Sequence, residues 1–246
     1  MLPWKNSWFQ IAFFALLVSG ALIVVDYAHK TSTDSGWKKV FHQAPSQPSE
    51  APSKPSPSSN GSVELAQGRA AHDRQEAMQW FQKAAAQGNA EAEDQLGNGY
   101  VGKDNAEAMR WFQKAAAQGN SDAEANIGAL YDGGVGVQED WAEAVRWYQK
   151  AAAHGNANAA SFIAAIYENG GSGVKRNYAE AARWYQEAAD QGSANAQFRL
   201  GGLYERGQGV PKDAARAIEW YQKAAAQGNG NAKQALAKLH AAETPK

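Results

Sequence analysis

The chain contains no cysteine, which excludes disulfide bonds, thiolate metal sites and a cysteine nucleophile, although it leaves the compartment open. It also lacks an excess of either charge, because its 24 Lys and Arg residues are balanced by 25 Asp and Glu residues. A surface that follows nucleic-acid phosphates requires a cationic excess. We therefore expect no nucleic acid among the partners.

Patterns that indicate catalysis are also missing from the sequence. The histidines never stand at metal-ligand spacing, and none belongs to an HExxH arrangement; they are His29, His42, His72, His154 and His240. The glycine loop "DGGVGV" that begins at Asp132 follows a helical pattern instead of a strand and lacks the Lys-Ser/Thr pair of a phosphate loop. We expect no enzymatic activity, no cofactor, no metal and no small-molecule substrate.

A single long apolar run stands near the start of the chain. Residues 8–25, "WFQIAFFALLVSGALIVV", contain no charged residue, and as a helix they would extend about 27 Å, close to the thickness of a bilayer core. The alternatives are an uncleaved anchor, a cleaved signal peptide and a buried helix. The best cleavage position, after Gly20, is followed by more apolar residues, Leu22 to Val25. We therefore favour an anchor over residues 1–30.

Proline is scarce except in the segment that follows. Five of the eight prolines lie between residues 43 and 62, in "QAPSQPSEAPSKPSPSSNGS". A Ser/Pro segment of this kind cannot bury a core and acts as a spacer. We expect a disordered linker over residues 31–61; a proline-rich ligand for another protein is the alternative.

The rest of the sequence is repetitive. Strings such as "WYQKAAAHGN" recur with their tryptophans 31 to 37 residues apart, at Trp80, Trp111, Trp147, Trp184 and Trp220. Each unit contains two sets of apolar residues at helical intervals, and we expect the tryptophans and alanines to fill the space between stacked units. The last segment, 230–241, predicts a lone capping helix whose Leu236 and Leu239 pack inward.

Residues at the predicted helix boundaries agree with this interpretation. Acidic residues stand three positions before a glutamate at Asp73, Asp104 and Asp140, the spacing of a capping box. A glycine eight residues after each tryptophan favours the left-handed conformation at the helix end. The repeats therefore predict paired antiparallel helices.

These motifs resemble those of the Sel-one-like repeat, a relative of the tetratricopeptide repeat with a longer unit. In the fifth unit the resemblance rests on Ala196, Leu200, Gly201, Tyr204, Gly207, Gly209, Val210, Asp213, Ala217, Trp220, Tyr221, Lys223, Ala224, Ala225, Gln227, Gly228 and Asn229. The resemblance implies an all-α fold, a right-handed α/α solenoid over residues 62–246. Its five units would span 62–89, 90–120, 121–156, 157–193 and 194–229.

The resemblance also implies an adaptor that binds another protein on the concave side, which the first helix of each unit would line. The helical positions that precede the core residue of these helices vary from unit to unit, and variable surface positions suit recognition. We expect partner contacts at Gln95, Asn126, Phe162, Phe198 and Arg199.

The partner and the compartment remain open at this stage. We expect a scaffold that binds an envelope protein, and the alternative is an immunity or inhibitor protein that masks a toxin or envelope enzyme. Resemblance to exported repeat proteins favours the inner membrane, with the repeats in the periplasm. Lys30, Lys38 and Lys39 after the apolar run, against Lys5 before it, favour a cytoplasmic location instead.

Overall fold

The computed structural model describes residues 60–243, with side chains up to residue 239. The predicted anchor and almost all of the predicted linker lie outside this range. None of the described helices combines the length and apolar character that crossing a membrane requires. The expectation of a membrane span at residues 8–25 therefore stays a prediction.

The described residues form α-helices joined by short loops, with one isolated bridge between Gly171 and Val174. The helices are α1 (Ser62–Ala70), α2 (Arg74–Ala86), α3 (Ala90–Tyr100), α4 (Asn105–Ala117), α5 (Ser121–Gly133), α6 (Trp141–Ala153), α7 (Ala159–Asn169), α8 (Tyr178–Asp190), α9 (Ala194–Arg206), α10 (Ala214–Ala226) and α11 (Gly230–Glu243). Each helix packs mainly on the helices before and after it in the chain. The all-α solenoid is confirmed, whereas its handedness stays a prediction.

The predicted capping residues begin the second helix of each unit. The backbone N–H groups of Glu76, Glu107 and Glu143 donate to the side chains of Asp73, Asp104 and Asp140 at 2.8–3.0 Å. Two of the glutamate side chains also bind along their own helices, because Arg110 contacts Glu107 and Arg146 contacts Glu143, each at 2.8 Å. The predicted start of these helices is confirmed.

The other ends of these helices require a backbone conformation that suits glycine. Gly88, Gly119, Gly155, Gly192 and Gly228 have φ angles between 79° and 92°. A side chain with a Cβ atom is strained in this left-handed region, and glycine is not. The glycine that recurs after each tryptophan therefore ends a helix, as expected.

The recurrent tryptophans differ in part from expectation. The aromatic residue after the tryptophan fills the core in every unit, at Phe81, Phe112, Tyr148, Tyr185 and Tyr221. Trp184 is also buried, but Trp80, Trp111, Trp147 and Trp220 are only half-buried. In each of these four units a lysine three residues later lies 3.8–3.9 Å from the indole centroid. Trp111, Trp147 and Trp220 still pack against the buried clusters, so they contribute to the interior as expected. All four half-buried indoles, however, keep an outer face at the surface, and a lysine covers that face.

Glycines in the first helices make room for the core aromatic rings. A Cβ atom at Gly97 would lie 2.5 Å from the Phe112 ring, and one at Gly128 would lie 2.8 Å from the Tyr148 ring. These distances are too short for any side chain, so glycine allows the two helices of a unit to approach each other.

Three buried clusters run along the solenoid. One joins α1 to α3, another joins α4 to α5, and the largest continues from α5 to α11. Leu236 and Leu239 pack against the largest cluster, as expected for a capping helix. Trp141, which lies outside the recurrent string, is almost completely buried, and its indole N–H donates to the backbone carbonyl of Asp132 at 3.2 Å.

Candidate functional site

The first helices hold all five residues that the sequence suggested for binding. Gln95 is in α3, Asn126 in α5, Phe162 in α7, and Phe198 and Arg199 in α9. Four of them are half-buried and retain some surface. Asn126 does not, since its exposed fraction is 3%. The expectation that Asn126 lines the groove is therefore corrected.

Asn126 instead bridges two repeats. Its side-chain amide donates to the Asp94 carboxylate of α3 at 2.8 Å, and Asn98 donates to the same carboxylate at 3.0 Å. Burial raises the pKa of Asp94 from its ordinary value to about 7, and these hydrogen bonds act in the opposite direction. The residues join the first helices of consecutive units and leave little polar surface for a partner.

The two phenylalanines contact buried tyrosines. The ring centroids of Phe162 and Tyr148 are 5.1 Å apart, and those of Phe198 and Tyr221 are 5.6 Å apart. Both pairs are tilted, a geometry that aromatic rings favour. Each phenylalanine therefore has one face fixed by the core while part of its surface remains open.

Arg199 acts within the fold. Burial raises the pKa of Tyr185 well above its ordinary value, and the negative charge of Glu168 raises it further. The positive charges of Arg199 and Arg206 act in the opposite direction. Arg199 thus has an internal electrostatic role beside the tyrosine, whatever contact it makes with a partner.

Three units share a pair of a tyrosine and an acid that was not predicted from the sequence. The hydroxyl of Tyr185 donates to Glu168 at 2.8 Å, and that of Tyr221 donates to Glu205 at 2.5 Å. The hydroxyl of Tyr148 makes the corresponding hydrogen bond to Asp132. In the third, fourth and fifth units, these pairs join the second helix to the end of the first helix.

A signal for this pair was present in the sequence. In the second unit, phenylalanine replaces the tyrosine at Phe112, and valine replaces the acid at Val101. The two positions change together because a buried carboxylate without a donor is costly, as is a buried hydroxyl without an acceptor. Comparison of the units with one another would have revealed the contact.

The environments of Asp132 and Glu168 differ although the two acids occupy the same repeat position. An Nη atom of Arg206 lies 3.8 Å from a Glu168 oxygen. Burial raises the pKa of Asp132 to about 7, and the neighbouring negative charge of Glu139 raises it further. Positive charge therefore reaches Glu168 from the next repeat, whereas a second negative charge reaches Asp132.

A shallow cleft opens between the second helices of the second and third units. It has a volume of about 350 Å³, and Gln113, Glu124, Trp147 and Lys150 are among its lining residues. Glu124 is buried and pairs with His154, so the cleft presents an indole and a lysine to solvent. Within residues 60–239 no group of three or more His, Asp or Glu residues is placed to bind a metal.

The repeats match a known family model. The Sel1 repeat matches residues 64–89, 94–120, 121–156, 157–193 and 194–229. The last three ranges coincide with the units predicted from the sequence, and the first two begin two and four residues later than predicted. The model therefore covers most of the chain and all five helix pairs.

Solved structures of similar proteins support this match. A Sel1 repeat protein from Oxalobacter formigenes is 35% identical, with a TM-score of 0.64 over 72% of this chain and 75% of that one. The protective antigen c5321 of uropathogenic Escherichia coli, which displays an SLR fold, is 36% identical, with a TM-score of 0.67. That match covers 73% of this chain but 41% of the antigen. No curated protein matches the sequence.

Proposed function

Because the chain belongs to the Sel1 repeat family, we propose that it is a non-enzymatic adaptor that binds another protein along its first helices. Sel1 repeat proteins are protein-interaction scaffolds and are generally non-catalytic. The observation that best supports this surface is the placement of Phe162 and Phe198. Each ring is fixed on a buried tyrosine and keeps part of its surface open, as recognition by preformed aromatic anchors requires.

A capture experiment with single variants tests this surface. The full chain carries a photoreactive cross-linker, and captured proteins are identified by mass spectrometry. We expect Phe162→Ala and Phe198→Ala each to reduce capture of the main partner about tenfold or more. The control Gln149→Ala, at an exposed residue of the second helix α6, should leave capture unchanged. Circular dichroism must show the same helix content in all three variants. Undiminished capture by the Phe162 and Phe198 variants would remove the first helices as the binding surface.

We further propose that an amino-terminal anchor holds the solenoid at a membrane. The uncharged run 8–25 supports an anchor, the Ser/Pro segment supports a spacer, and we place the repeats in the periplasm. Fractionation of the full chain tests the anchor, which should resist extraction by carbonate. A phosphatase reporter after Lys246 tests the orientation, since it is active only in the periplasm. Activity of a cytoplasmic reporter at the same position would support the opposite orientation.

The number of captured proteins separates a scaffold from the alternative, an inhibitor that masks a toxin or an envelope enzyme. A scaffold should retain several envelope proteins. An inhibitor should retain one enzyme in a one-to-one complex and abolish its activity, which a titration of the purified pair would measure.

A further inference from the structure

We propose that Asp132 and Phe162 form a docking site for an arginine side chain of the partner protein, which rests on the adaptor function proposed above. The site lies where the third unit meets the fourth, on α5 and α7. It identifies the chemistry of the partner as a segment that presents a guanidinium group.

The molecule contains a template for such a contact one repeat further along. Glu168 lies at the end of α7. An Nη atom of Arg206, which belongs to the next unit, lies 3.8 Å from a carboxylate oxygen of Glu168. The positive charge of Arg199, from the same next unit, also acts on Tyr185, which donates to Glu168. Positive charge from one unit therefore meets the acid of the preceding unit.

Asp132 occupies the repeat position of Glu168, but the next unit supplies no arginine to it. Counting from the buried Ile163 and Leu200, the positions of Arg199 and Arg206 correspond to Phe162 and Asn169 in the fourth unit. In the described part of the chain, no ion pair joins Asp132 to a Lys, Arg or His side chain. Its identified side-chain hydrogen bond comes from the Tyr148 hydroxyl.

The electrostatics of Asp132 favour an added cation. Burial raises the pKa of this carboxyl to about 7, and the Glu139 carboxylate raises it further. A positive charge within about 4–6 Å would favour the ionised form and offset both effects. An arginine of a partner would then occupy the position that Arg206 holds beside Glu168.

Phe162 contributes the second half of the site. Its ring contacts that of Tyr148, the same tyrosine that donates to Asp132, so the phenylalanine and the carboxylate adjoin one residue. A guanidinium group is planar and weakly hydrated, and it can stack on a ring while it binds a carboxylate. This combination favours arginine over lysine.

Nuclear magnetic resonance with a minimal probe tests the site. The folded chain is titrated with N-acetyl-arginine amide at pH 8, where Asp132 is mostly ionised. The uncharged analogue N-acetyl-citrulline amide serves as the control ligand. We expect shifts confined to the signals of Asp132, Tyr148, Phe162 and their neighbours, and at least about tenfold weaker binding of the citrulline compound.

Three variants make the assignment specific. Asp132→Asn should weaken binding of the arginine probe about tenfold or more, because it removes the charge. Asn169→Arg should block the probe and raise the melting temperature, because its arginine fills the site from within as Arg206 does. Glu168→Gln is the matched control and should leave binding unchanged. Amide spectra of the variants must show the native fold.

Equal binding of both probes, or unchanged binding in Asp132→Asn, would overturn the docking site. The adaptor function has a separate outcome. If partner capture depends on Phe162 while the arginine probe fails to bind, the adaptor function is supported and the arginine site is ruled out. If capture is undiminished in both the Phe162→Ala and the Phe198→Ala variants and the arginine probe also fails to bind, both proposals fail.

Discussion

The Nδ1 atom of His154 lies 2.7 Å from a carboxylate oxygen of Glu124, a residue of the same repeat that is almost completely buried. The preceding unit makes the corresponding contact with an amide, since Gln118 donates to the buried Glu93 at 2.6 Å. A residue at the end of the second helix thus supplies a hydrogen bond to the acid in the first helix. This bond closes the end of each of these two units.

Replacement of the histidine tests that contact. We expect His154→Gln to change the free energy of unfolding by no more than about 0.5 kcal/mol, because a glutamine already serves this position in the second unit. His154→Ala should cost about 1–2 kcal/mol, because it leaves the buried Glu124 carboxylate without this donor. Urea denaturation measures both. Equal stability of the alanine and glutamine variants would contradict the role of the bond.

The buried carboxylate of Asp94 predicts a specific pH dependence. Its pKa is about 7 in the folded chain against an ordinary 3.8, so the folded state retains a proton that the unfolded state has lost. This group therefore makes stability fall as pH rises from about 4 to about 7, after which its effect is constant. Asp94→Asn should remove the loss and stabilise the chain at pH 8 by up to about 4 kcal/mol.

Urea denaturation at pH 5 and pH 8 measures the effect of Asp94→Asn, and the gain should be larger at pH 8. The control is Asp190→Asn, at an exposed carboxylate of α8. The control should show the same small effect at both values. A gain from Asp94→Asn that is equal at pH 5 and pH 8 would show that burial does not shift this group.

Because Phe112 packs closely against α3, we expect one added methyl group at Gly97 to destabilise the fold. Gly97→Ala would place a Cβ atom 2.5 Å from the ring. We expect a loss of about 1–3 kcal/mol in the free energy of unfolding. Gly230→Ala is the matched control, because its Cβ atom would meet open space in α11, and it should stabilise the chain by up to about 1 kcal/mol. Thermal denaturation of both variants shows whether each substitution lowers or raises the melting temperature, and equal melting temperatures would contradict the close packing at Gly97.

The hydrogen bond between Tyr221 and Glu205 predicts energetic coupling between the second and first helices of the fifth unit. Tyr221→Phe should cost about 1–2 kcal/mol, because the partly buried carboxylate loses its donor. A double-mutant cycle with Glu205→Gln measures the coupling, for which we expect about 0.5–3 kcal/mol. Strictly additive effects of the two substitutions would show that the bond contributes nothing.

The helical fold follows from local signals in the sequence. Asp104 and Gly119 mark the two ends of one helix because each satisfies a backbone requirement that adjacent residues define. The number of units follows from the spacing of the tryptophans. No packing information is needed for either inference.

The roles of neighbouring side chains required the structure. Trp147 and Tyr148 are consecutive and lie about 100° apart on the helix, so both fall within one broad apolar face. The helical period cannot tell which of them enters the core. Packing places the tyrosine inside and leaves the indole half-buried under Lys150.

The candidate site was only partly predictable for the same reason. Phe162 keeps some exposed surface, as expected. The variable position of Asn126 suggested a groove residue, but its side chain is buried and donates a hydrogen bond to Asp94. Side chains thirty-two residues apart in the sequence form that bond. No local pattern contains such a contact, although comparison of equivalent positions between units can indicate one.

The unequal buried clusters have a mechanical consequence. The cluster that continues from α5 to α11 ties the later repeats into one cooperative block, while α1 to α3 depend on a separate small cluster. Tension applied through the amino-terminal segment would reach that small cluster first. We therefore expect the early helices to unfold at lower force than the later repeats that hold Phe162.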